Sequence, residues 1–192
     1  PTVVLEGGYC ANSLAWEPVR RLVQGKLRVC SYDRAGYGFS TPGPLPRDGA
    51  SIARDLDRGL RAARIGGPFI LVGHSAGALY VRSFYARRPR DVAGMVLVDP
   101  SVEYQDRRFA AAFGPGAGGL QPLRDRAARC LGAAETRLLP STEPSLERCT
   151  PKPNANLSEA VNAARLAASL EPGTWLTQVS ELETLLTSTS DQ

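Results

Sequence analysis

Phe69-Ile70-Leu71-Val72 is a run of apolar residues with no polar alternation, and it passes directly into Gly73-His74-Ser75-Ala76-Gly77. A wholly apolar run of this length, bounded by glycine, reads as a strand buried on both faces. Leu79, Tyr80, Ser83 and Phe84 then continue at helical spacing as far as Pro89. A glycine two residues before and two residues after the serine lets a strand and a helix approach closely across a sharp turn. Such a turn holds the serine hydroxyl clear of the backbone and aims the next N–H at a developing oxyanion. The three fixed residues of G-x-S-x-G recur by chance in roughly one chain of this length in twenty. The strand before them and the helix after them are what make the pattern informative.

The same alternation runs through the first 100 residues. Thr2-Val3-Val4-Leu5 reads as a strand ending at the Gly7-Gly8 turn, Leu27 to Tyr32 as a second strand, and Met95-Val96-Leu97-Val98 as a fourth, ending at Asp99-Pro100. Between them, Leu14, Val19, Leu22 and Val23 predict a helix over 14–24. Ile52, Ala53, Leu56, Leu60 and Ala63 predict an amphipathic helix stopped by Gly66-Gly67-Pro68. Strands alternating with helices predict a mostly parallel sheet covered on both faces, an α/β fold. Residues 101–192 differ: they read as helices broken by proline-rich segments over 140–153. Asn156 with Glu159 resembles a capping box, and Thr174 reads as the cap of a last helix with Val179, Leu182, Leu185 and Leu186 on its apolar face. The boundary is placed at 100/101.

LEGG at 5–8, SYDRAGYGFS at 31–40, GHSAG at 73–77 and MVLVDP at 95–100 stand in one order and spacing. In these motifs the chain resembles the α/β-hydrolase superfamily, in its serine-nucleophile, esterase- and lipase-like branch. The resemblance implies a partial α/β-hydrolase core over 1–100 and a helical cap or lid over 101–192. It implies Ser75 as nucleophile. A serine there argues against the haloalkane dehalogenase and epoxide hydrolase branches, which place an aspartate at this turn. The oxyanion donors implied are the N–H of Ala76 and, from the loop after the first strand, that of Tyr9; Gly7-Gly8 stands where His-Gly is common. Asp99 is a candidate triad acid, since some relatives carry the acid after this strand, but the preferred reading is a turn or cap aspartate before Pro100. Asp33 resembles the family's structural loop aspartate.

The chain holds a single histidine, His74. As the immediate neighbour of Ser75 its side chain should leave the turn in another direction, so it is not assigned as the base. The triad histidine is therefore expected outside this chain, and these residues read as a piece of a longer hydrolase lacking the first strands and the C-terminal acid and histidine. A non-catalytic binding module of the same fold is the alternative, and a second chain completing the fold is a third.

Other function classes find no support. A net charge of +4, from 23 basic and 19 acidic residues without basic–aromatic clustering, does not favour nucleic acid. No apolar run approaches the roughly 18 residues of a membrane span. The cysteines Cys10, Cys30, Cys130 and Cys149 lack metal-ligand spacing, and no G-x-G-x-x-G follows a strand, so neither a metal nor a dinucleotide cofactor is expected. The expected partner is a small ester-like substrate. A disulfide between Cys130 and Cys149 is expected across the proline-rich loop.

Overall fold

The computed structural model describes residues 1–117 and 119–185. Four parallel strands form one sheet in the order β2-β1-β3-β4: β1 Thr2–Glu6, β2 Arg28–Ser31, β3 Phe69–His74 and β4 Val92–Val98. β1 is central and buried along its whole length, as its unbroken apolar run requires. Its register sets Glu6 beside Gly73, so β1 and β3 end together where each enters its glycine turn.

Helices cover both faces. On one, α2 (Gly49–Ala62) and α3 (Gly77–Arg87) bury Ala53, Leu56, Leu60, Val81 and Phe84 against Val4, Phe69 and Leu71. On the other, Trp16 packs on Val3 and Leu5. Asp48 caps α2, accepting from the Ser51 N–H at 2.7 Å. Its stop differs from the glycine stop expected: Arg64 takes the left-handed conformation (φ 55°), and the Ile65 and Arg64 N–H groups return to Leu60 and Arg61. Ile65 then packs on the core, the apolar contact that accompanies this closing motif.

The predicted helix over 14–24 is a 3-10 turn at Ser13–Trp16 followed by α1 (Glu17–Val23), and its apolar residues Val19 and Leu22 are exposed. β4 also departs from expectation. It is an outer strand, and Met95, Val96, Leu97 and Val98 are all exposed, so the sheet is covered on both faces only up to β3.

After β4 the described chain is helical: α4 (Gln105–Phe113), α5 (Gln121–Glu135), α6 (Glu159–Leu170) and α7 (Pro172–Thr184). Ser158, not Asn156, caps α6, accepting from the Val161 N–H. Thr174 lies inside the first turn of α7 and donates to the Ala168 carbonyl instead of capping. Leu182 and Leu185 are buried with Ile52, Ala76, Leu79, Tyr80 and Ala127, with Val179 packed alongside; Leu186 lies outside the described residues. Cys130 and Cys149 form a disulfide that ties α5 to the turn before α6.

Candidate active site

Ser75 sits where β3 becomes α3, with φ 51°. A serine in the left-handed region is strained and must be held there by its surroundings. Three backbone bonds do so: its N–H donates to the Val98 carbonyl at 3.1 Å, and its own carbonyl accepts from the Ala78 and Ser101 N–H groups at 3.0 Å each. The end of β4 is thus stitched to the turn. The flanking glycines are sterically required. A Cβ at Gly73 would stand 2.7 Å from the Gly77 oxygen, and one at Gly77 would stand 2.5 Å from the Glu6 oxygen.

The loop after β1 lies directly against the serine: a Cβ at Gly8 would meet the Ser75 Cβ at 3.1 Å and His74 Nδ1 at 3.2 Å. Among the described residues, the N–H groups of Tyr9 and Ala76 donate to no carbonyl or side chain, although Ala76 is only 1% exposed. Buried backbone donors are nearly always paired, so the unpaired N–H of buried Ala76, with that of half-buried Tyr9 across the half-buried Ser75, is free to receive an anion. His74 is exposed and makes no hydrogen bond with Ser75.

A buried ionic cluster fixes the Gly7-Gly8 loop from behind. The Arg34 guanidinium donates to Glu6 Oε1 at 2.6 Å, to the Gly7 and Gly8 carbonyls at 2.7 and 2.9 Å, and to Glu181 Oε1 at 3.1 Å. Tyr80 donates to Glu181 and Tyr32 to Glu6, while the Tyr37 and Tyr80 rings lie beside the guanidinium. Arg34, Glu6 and Glu181 are each almost wholly buried. Burial pushes the Glu6 carboxyl above the ordinary carboxylate value, with Arg34 pulling the other way. Burial opposes the charge on Arg34, but Glu181 and Glu6 outweigh it and hold the guanidinium firmly protonated. Sequence reasoning missed this cluster. The available signals were an acidic residue closing a buried strand and a glutamate on the apolar stripe of α7, both of which demand a buried partner.

Asp99 lies in the turn after β4, with φ 42°, exposed and next to the strand end that is bonded to Ser75. Asp33 ties two loops together, accepting from the Ser13 N–H at 2.6 Å and the Phe39 N–H at 2.9 Å. Cys10, just beyond Tyr9, donates to Gln178 and accepts from Arg126; burial pushes its thiol up to about 11, against the pull of Arg126.

A family model described as "Alpha/beta hydrolase family" matches residues 3–190. The chain is 36% identical over 129 residues to an AB hydrolase superfamily protein of Gibberella zeae, a match spanning 64% of this chain and 40% of that protein. Among solved structures, a putative epoxide hydrolase from Pseudomonas aeruginosa superposes with a TM-score of 0.68 at 19% identity, covering 100% of this chain and 65% of that one. A putative lipase from Acinetobacter baumannii does so with a TM-score of 0.64 at 16% identity, covering 97% and 58%. These structural likenesses are likenesses of fold.

Proposed function

The chain belongs to the alpha/beta hydrolase family, and from that premise we propose that it is the nucleophile-bearing part of a serine hydrolase acting on an ester-like acyl substrate. The observation that carries this reading is Ser75, held in a strained strand-to-helix turn beside the unpaired N–H groups of Tyr9 and Ala76. In the proposed reaction Ser75 Oγ attacks the substrate carbonyl and gives its proton to a histidine. The carbonyl oxygen takes up the charge between the Tyr9 and Ala76 N–H groups. The alcohol leaves with the proton returned by the histidine, and water then releases the acid from the acyl-serine. His74 has no bond to Ser75, so this reading takes the histidine from sequence outside these 192 residues, with Asp99 as a candidate acid. This reading takes residues 101–192 as the cap over the site.

The test is to express the complete reading frame and treat it with a fluorophosphonate probe. Labelling should map to Ser75, vanish in Ser75→Ala, and fall sharply when a histidine downstream of Gln192 becomes alanine. The 192 residues alone should show no robust p-nitrophenyl acetate turnover. A complete protein that stays unlabelled would replace the hydrolase reading with that of a binding module.

A further inference from the structure

A cleft of about 240 Å³ opens between the segment after Tyr9 and helices α5–α7. Arg126, Arg148 and Arg165 line it together with Cys10, Tyr37 and Gln178, and no aspartate or glutamate does. Arg20, Arg21, Arg34, Arg47, Arg61, Arg82 and Arg88 all pair with carboxylates, whereas the three cleft arginines form no ion pair among the described residues.

Two further features point to a missing acceptor. The Arg126 Nε is buried and has no hydrogen-bond partner among the described residues. The Tyr37 hydroxyl is also buried without a partner, in a residue only 3% exposed. Burial keeps that phenol protonated, so it is a donor. The local covalent structure anchors two of these arginines beside one crosslink. Cys130 lies one helical turn after Arg126, and its disulfide partner Cys149 directly follows Arg148. Arg165 is steadied on the third side by Asn162 Oδ1 at 3.0 Å. Three guanidinium groups lining one cleft with no carboxylate in that lining, together with the unfilled Arg126 Nε and Tyr37 hydroxyl donors, form a receptor for a planar anion that accepts from two directions.

We propose that this cleft is an anion-binding subsite that takes a carboxylate of a small organic acid or acid half-ester. The site is independent of the serine chemistry, and it stands or falls without it.

The experiment uses the complete protein in a Ser75→Ala background, so that no turnover intervenes. Glutarate and its uncharged dimethyl ester are titrated by calorimetry at low ionic strength. Glutarate should bind at one site, and dimethyl glutarate should not. Arg126→Gln with Arg148→Gln should weaken glutarate at least tenfold, which is about 1.4 kcal/mol. Arg129→Gln removes an exposed charge of the same helix outside the cleft and should leave affinity within twofold. If the double variant unfolds, Arg148→Gln alone, at an exposed position, should still cost about threefold. Three results would overturn the proposal: no saturable glutarate binding, equal binding of the dimethyl ester, or an equal loss in Arg129→Gln. Fluorophosphonate labelling of the protein with Ser75 intact reports separately on the hydrolase reading.

Discussion

Replacing Arg34 by methionine is the sharpest perturbation of the loop that faces Ser75. The substitution keeps volume but removes the donors to Glu6, Glu181 and the Gly7 and Gly8 carbonyls. Removing one partner of a buried ion pair leaves an uncompensated charge and costs about 3–5 kcal/mol. That is about a fifth or more of the stability of an ordinary domain. The loss should depend on pH, with a definite sign. Glu6 is already raised above its ordinary value of 4.5 by burial, against the lowering influence of Arg34. Without Arg34 it rises further. A raised carboxyl stabilises the folded state fully below its unfolded value, and that contribution is lost as pH climbs through the folded value. Above pH 4.5 there is therefore a window in which the variant's Glu6 keeps its proton and the wild type's does not. Across it the variant's deficit grows by about 1.4 kcal/mol per pH unit. Urea unfolding followed by circular dichroism at about pH 5 and about pH 7.5 measures this directly. The expected deficit is about 3–5 kcal/mol at the higher pH and clearly less at the lower. A deficit under about 1 kcal/mol at neutral pH, or one that is the same at both, would refute the claim that Arg34 acts as the counter-charge.

Three other outcomes follow from the same structure. Gly77→Ala drives a Cβ to 2.5 Å from the Glu6 oxygen; it should cost about 1–3 kcal/mol, lower Tm by several degrees and depress fluorophosphonate labelling of Ser75, and an unchanged Tm would contradict the close approach. Joint Cys130→Ala and Cys149→Ala opens a crosslink over a separation of 19 residues. In the chain-entropy picture it should lose about 3 kcal/mol in urea. Cys10, with its thiol pushed up to about 11 from 9.0, should react with iodoacetamide near neutral pH about a hundredfold more slowly than free cysteine, accelerating as pH approaches 11; peptide mapping that shows a rate within tenfold of free cysteine would refute the raised thiol.

Local signals read well where the structure is itself local. The strands at Thr2–Glu6 and Phe69–His74 follow from unbroken apolar runs, and the turn at Ser75 from glycines whose Cβ atoms have no room. Periodicity was a weaker guide to burial. Val19 and Leu22 fall at helical spacing, yet they are 39% and 76% exposed. Spacing states that a helix has an apolar face, and cannot state that another element covers it. Termination was misread at Arg64 because a left-handed stop requires one residue of the right conformation, and glycine is merely the easiest supplier. The Arg34–Glu181 contact joins residues 147 apart in sequence. No periodic pattern carries such a pairing; only the demand of a buried charge for a partner does.

That pairing also explains how the helices after β4 bear on the site. Leu182 and Leu185 share a buried cluster with Ile52, Leu79 and Ala76, the residue next to Ser75. One residue before Leu182, Glu181 holds the same guanidinium that holds the Gly7 and Gly8 carbonyls. Thr177, one turn earlier, is packed so tightly on Gly36 that any side chain there would collide with it. A shift of α7 therefore cannot be absorbed locally. It would have to lengthen the Glu181–Arg34 bonds, strand a buried carboxylate, or carry Arg34 and the Gly7-Gly8 loop with it. All three routes reach the turn that presents the Tyr9 N–H. The geometry around Ser75 is accordingly set by the sheet and by α7 together.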